Sequence, residues 1–245
     1  MSVRLLSHAK QIGYALGTFV VIYLISGCAG VSTASQTGPS PTPTPAANAA
    51  PTGYLTWKND NQRTGLQPNE TILTPANVNA THFGEMFSVP LDGWTFAQPL
   101  YVAGLTIAGA KRNVVFVATE HASVYAFDAD AAGAPLWHTS FLGPGITTVQ
   151  TAGNPGIPVQ PEVGITATPV IDAASGTIYV LAQTVEKGVF VNKLHALDIT
   201  SGAERPGSPA LLSDPAFDPK QEFERSALLL ANGKRRSNRL PDLEK

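Results

Sequence analysis

The sequence predicts an all-β fold: about two four-stranded units and the first strand of a third, placed after an N-terminal tether that does not fold. Three observations carry this reading. Segments of the chain recur at a fixed spacing of 70 residues, as Pro99 and Pro169 do. The recurring segments are short apolar runs rich in β-branched and aromatic residues. Turn residues bound them on both sides.

Each strand can be placed by its repeat. Ala97-Gln98-Pro99-Leu100-Tyr101-Val102 recurs as Ala167-Thr168-Pro169-Val170-Ile171-Asp172 and marks the first strand. Val114 to Ala118 recurs within Thr177 to Ala182 as the second. Val124 to Ala129 recurs as Leu194 to Ile199, and Asp128 and Asp198 are again 70 residues apart. In the first unit Leu136 to Phe141 supplies a fourth strand. Asp130 to Gly133 and Thr200 to Gly202 read as the turns that follow the third strand. The inner runs are almost continuously apolar and do not alternate, which is the pattern of strands buried on both faces. An antiparallel sheet gains two buried faces when it is stacked between neighbours of its own kind, as in a propeller blade.

Composition agrees with this class and narrows the function. Of 245 residues only 14% are charged, against about 25% in an average soluble protein. Glycine (22) and proline (20) are frequent enough to punctuate many short strands. A formal net charge of −2 gives no general polyanion-binding surface, so nucleic acid is not an expected partner. The single cysteine rules out an internal disulfide framework.

That cysteine sits at the end of an N-terminal address. Arg4 and Lys10 make a positive beginning, and Ile12 to Ile25 is uncharged. The apolar stretch is signal-sized and shorter than the roughly 20 residues a spanning helix needs. It ends in Ile25-Ser26-Gly27-Cys28, which resembles the lipobox of bacterial lipoproteins: a branched apolar residue, two small ones, and the cysteine that receives the lipid. The resemblance implies a signal peptide over 1–28, lipidation of Cys28, and export to the cell envelope. Ala29 stands where an aspartate marks inner-membrane retention in enterobacteria, which favours the outer membrane. An uncleaved anchor with an incidental cysteine is the alternative. Residues 29–53 are small, polar and proline-rich, a composition that cannot bury a core and that favours an extended tether.

The repeat itself resembles the quinoprotein-type (PQQ-like) repeat, through Val-Phe-Val-Ala and Val-Tyr-Ala-Phe-Asp in the first unit and their counterparts in the second. The lead-in Trp57-Lys58-Asn59-Asp60-Asn61-Gln62-Arg63-Thr64-Gly65 is similar to the W…D…RTG segment common in that family. The resemblance implies a partial β-propeller over 54–234. A third unit begins at Arg225 to Lys234, and a charged, unpatterned tail follows over 235–245. Such a chain is expected to leave its last apolar strand and the outer face of a unit exposed, as in a truncated product. The alternative is a natural short form whose open edges are satisfied by self-association or a protein partner.

No motif in the sequence assembles a catalytic or metal-binding constellation. Asp128-Ala129-Asp130-Ala131-Ala132-Gly133 begins like a calcium loop, but Ala132 and Thr139 stand where oxygen ligands are needed. A strand-ending turn is the better reading. His82, His121, His138 and His195 have no zinc-ligand spacing, and His195 replaces Tyr125 of the first unit, which points to a packed strand position. Glu162, in the Gly/Pro-rich stretch Gly143 to Gly164, lacks a sequence-evident partner for acid–base work. Trp94 and Trp137 are large enough to stack on a planar ligand, yet Trp137 occupies the structural tryptophan position of the family. The family's dehydrogenases hold a quinone over a tryptophan with calcium and a catalytic aspartate. None of those residues maps onto this chain, so no cofactor, metal or catalytic residue is predicted. The expected function is a lipid-anchored binding or scaffold module. A fragment of a quinoprotein-type oxidoreductase and a non-functional truncated product are the alternatives.

Overall fold

The computed structural model of the chain describes residues 2–8, 52–231 and 234–236, except 69, 71, 82, 155 and 157. The lipobox (Ile25, Ser26, Gly27), Cys28, nearly all of the tether and His82 lie outside the described residues. In chain order the first eight strands are β1 (Ser2–His8), β2 (Gly53–Tyr54), β3 (Phe83–Pro90), β4 (Leu100–Ile107), β5 (Ala110–Ala118), β6 (Ser123–Asp128), β7 (Trp137–Ser140) and β8 (Ile146–Thr147). They are followed by β9 (Val149–Gln150), β10 (Glu162–Val163), β11 (Val170–Asp172), β12 (Thr177–Glu186), β13 (Val189–Asp198), β14 (Ala210–Leu212), β15 (Leu229–Ala231) and β16 (Lys234–Arg236). The described residues contain no helix.

Two five-stranded antiparallel sheets dominate. The first is ordered β2-β4-β5-β6-β7; the second runs β11-β12-β13-β14, with β8 pairing the far end of β12. Each therefore contains the four consecutive strands the repeat predicts, and a fifth short strand from another segment. Two tight hairpins need left-handed backbone at both loop positions: Ala108 and Gly109 (φ 49° and 76°) between β4 and β5, and Lys187 and Gly188 (φ 50° and 84°) between β12 and β13. Primed turns of this kind match the natural twist of the strands they join.

The two sheets stack face to face, and the main core lies between them. Leu100, Val102, Val114, Phe116, Val124 and Trp137 of the first sheet pack with Ile171, Ile178, Val180, Leu197 and Ile199 of the second. The alternate residues of the same strands face outward and are buried as well. On the first sheet Val115, Val117, Tyr125 and Phe127 pack under Val89 and Leu91. On the second, Tyr179, Leu181, Leu194 and Leu212 pack under Leu228 and Leu230. Double-sided burial is the reason the inner strands lack alternation: each of their large side chains leaves water, at about 1.5–3 kcal/mol apiece.

Repeat-equivalent positions touch. The Gln98 amide donates to Thr168 Oγ1 at 2.9 Å, across a separation of 70 residues. The lead-in segment then ties the layers together. Leu55 O accepts from Ile171 N at 2.8 Å. Arg63 donates to Thr56 Oγ1 (2.8 Å), Trp57 O (3.0 Å) and Leu228 O (2.9 Å).

One expectation, of exposure, changes. The outer sheet face is covered, not exposed, and the last apolar strand is half-buried: Leu228 is 4% and Tyr179 7% accessible, because the 228–231 segment lies over β11 and β12. The ladder also continues past residue 234, with charged β16 pairing β15 through Arg236. At the other end, Ser2–His8, within the stretch read as a signal peptide, runs antiparallel to β3.

Candidate functional site

The β5–β6 turn brings together the groups that sequence reading left scattered. Glu120 is wholly inaccessible, while His121 beside it is partly exposed. The turn is tight: Ala122 has φ 52°, and a Cβ on Gly164 would stand 2.4 Å from Glu120 O. Gly164 is therefore required where the strand leading into β11 passes over the turn. That close approach lets Gly164 N donate to Glu120 Oε2 (2.9 Å), and Thr166 Oγ1 donates to the same oxygen (3.0 Å). The other oxygen, Oε1, is buried without a hydrogen-bond partner. Burial pushes the Glu120 carboxyl up to about 7, against the lowering pull of those two donors and of Arg225, with Glu162 adding to the rise.

Glu162 is not the isolated carboxylate its sequence surroundings suggest. His121 Nδ1 lies 3.0 Å from its Oε1, and Thr148 Oγ1 donates to its Oε2 at 2.6 Å. The stretch 143–164 is not an open loop either. β9 and β10 pair within it, and Val149, Val159 and Val163 form a small core of their own. Two carboxyl groups in unlike surroundings thus share one turn, with one of them positioned to exchange a proton near neutral pH. The signal that could have located this site is the Glu-His pair at the repeat's tightest turn, with Gly164 opposite.

A cavity of about 330 Å³ adjoins this cluster through Thr166. Its walls include Trp57, Phe96, Thr168 and Arg225, so the lead-in segment and all three units contribute. A larger hollow of about 820 Å³ lies along residues 52–70 and Tyr101. It is walled mainly by turn residues whose polar groups serve the turn, such as Asp60 accepting from Thr64 N at 3.1 Å, and it converges on no reactive group.

The remaining candidates resolve into structural roles. Asp128 accepts from Asp130 N (2.9 Å) and pairs with Arg112 Nη1 (2.6 Å), closing a strand and a turn. Asp198 does the same with Thr200 N (2.9 Å) and Arg205 Nη2 (2.9 Å). Among the described residues no group of three acidic, histidine or cysteine side chains is arranged to hold a metal. His195 is buried, stacks on Phe141 at 3.7 Å between ring centroids, and meets Glu204 Oε2 at 2.9 Å. Burial holds its pKa below the ordinary imidazole value. Ser123, His138 and Asp92 invite comparison with a hydrolytic triad, but Ser123 Oγ (3.1 Å) and Asp92 Oδ2 (3.9 Å) both face Nε2, and Ser123 is fully buried. A base cannot take a proton and be oriented through the same nitrogen. Trp137 is packed between the sheets, donating Nε1–H to Ile199 O at 3.0 Å. Trp94 is 54% exposed. No family model, curated protein or solved structure shows a significant match to the chain.

Proposed function

We propose that this chain is a lipid-anchored binding module of the cell envelope, built as part of a β-propeller of quinoprotein-type repeats. The observation that carries the reading is the layered stack, in which each four-stranded unit has two buried faces and repeat-equivalent residues meet across the interface. A propeller blade needs that environment, whereas a two-layer sandwich leaves its outer faces to water. Binding is favoured over catalysis because the cavity that gathers the lead-in segment and the units offers aromatic and cationic walls and, among the described residues, no nucleophile held by a base. On this reading maturation at Cys28 removes β1 and opens the edge of β3, which then offers backbone donors and acceptors to a protein partner.

The test is metabolic labelling with radioactive palmitate in a bacterial host, together with membrane fractionation. The parent chain should take up label and sediment with outer membranes, and Cys28→Ser should do neither. Unlabelled parent protein, or a Cys28→Ser variant that still sediments fully with membranes, would overturn the anchored reading.

A further inference from the structure

Resting on that reading, we propose that the 330 Å³ cavity binds a carboxylate borne on an apolar body, and that binding takes up a proton at Glu120. The cation comes first. Arg225 is exposed at the cavity wall and forms no hydrogen bond or ion pair among the described residues. Arg63, on the same wall, makes no ion pair there either; its Nη groups go to oxygens of Thr56, Trp57, Ala227 and Leu228. Lys58 Nζ adds a third positive charge, 4.7 Å from the Trp57 ring centroid. Arg225 and Arg63 line the cavity and Lys58 borders it through Trp57. The acids opposing them are Asp60 beside Arg63, the buried Glu224, which accepts from Ser226 N at 3.1 Å, and Glu120, which carries a proton near neutrality. The exposed Arg225 guanidinium is where an anion is favoured. A guanidinium with free donors selects a planar carboxylate among anions of that size.

The rest of the wall describes what bears the carboxylate. Trp57 and Phe96, the latter 43% exposed, present aromatic surface on one side. Thr168 Oγ1 accepts from Gln98 N and keeps its own O–H to give. A cavity of this size holds about one amino-acid-sized group.

Proton linkage follows from the position of Glu120. The charged and titratable groups facing it are Arg225, Glu162 and, through Glu162, His121. Thr166 lines the cavity and donates to Glu120 Oε2, so the carboxyl lies one side chain beneath the ligand space. When Glu120 ionises it supplies Arg225 with its own negative charge and repels an incoming carboxylate. A bound carboxylate in turn holds Glu120 in its neutral form, since the coupling is reciprocal. Affinity should therefore fall about tenfold between pH 6 and pH 8, with uptake of up to about half a proton per ligand at pH 7, rising toward one at pH 8.

The experiment is calorimetric titration of the full chain with N-acetyl-phenylalanine, its C-terminal amide, and a tetrapeptide ending in phenylalanine, in two buffers of different ionisation enthalpy. The acid should bind and the amide should not. Glu120→Gln should remove the pH dependence and proton uptake while keeping the affinity seen at pH 6. Arg225→Gln should weaken binding at least tenfold with an unchanged urea midpoint. Binding by the tetrapeptide alone supports the proposal with a peptide C-terminus as the source; binding by both acids supports it with small organic acids included. Equal binding of acid and amide, no binding by either acid, or proton uptake that persists in Glu120→Gln overturns it. Palmitate labelling at Cys28 reads the anchored-module proposal separately, so loss of binding with labelling intact sinks the ligand alone.

Discussion

Gly202 tests the stacking of the two sheets more directly than any other position. It lies in the turn after β13, has φ 71°, and sits under Trp137 of the first sheet. A Cβ there would stand 2.5 Å from Trp137 Cε3 and 2.7 Å from Thr139 Oγ1. Gly202→Ala therefore carries two costs. Left-handed backbone on a residue with a Cβ costs about 1–2 kcal/mol. The methyl must also displace a ring that is buried and tied to Ile199 O, which adds about 1–3 kcal/mol of overpacking. Gly188 is the internal control, because it has φ 84° and open space where its Cβ would go. Gly188→Ala should cost only the backbone part. Urea denaturation followed by far-UV circular dichroism measures both, and Gly202→Ala should be worse by about 1–3 kcal/mol. In a Trp137→Leu background the ring atoms are gone, and the excess should shrink by about 1 kcal/mol or more. If the two alanine variants match within about 0.5 kcal/mol, the contact between the sheets is not what this reasoning requires.

Three further outcomes follow from the same structure. The folded Glu120 carboxyl, raised from 4.5 to about 7, binds a proton that the unfolded chain releases first, so stability is greatest below pH 4.5 and falls as pH rises through 7. That loss amounts to about 2–3 kcal/mol, and Glu120→Gln should abolish it in urea titrations at pH 5 and 8.5. His195 behaves oppositely: its lowered pKa means that the unfolded chain gains the proton first as pH drops below 6.5. His195→Tyr, which installs the residue type of Tyr125, should make the thermal midpoint less acid-sensitive between pH 6.5 and 5. Arg63→Ala should cost about 2–4 kcal/mol by orphaning the carbonyls of Trp57 and Leu228, with Arg63→Lys recovering only part, as read from urea midpoints.

The sequence by itself determined the strand content, the four-stranded unit and the apolar character of the inner strands on both their faces. These were legible because they are local or periodic. Val114 to Ala118 and Thr177 to Ala182 announce their environment by composition alone, and the interval between Asp128 and Asp198 repeats that between Pro99 and Pro169. The packing of Trp137 was expected from the family resemblance of the repeat alone, since no tryptophan recurs in the second unit. Only the tertiary structure decided the site. Glu120 and Glu162 are 42 residues apart in sequence and carry no common motif. They become neighbours because Gly164 lets one backbone pass within touching distance of another. Glu120 acquires its raised pKa from burial, which a turn between two strands does not advertise. The covering of the outer faces by 87–91 and by 228–231 was likewise out of reach, since it depends on where flanking segments travel after they leave the repeat. Periodicity records what a strand's two faces meet; it does not record which distant loops meet each other.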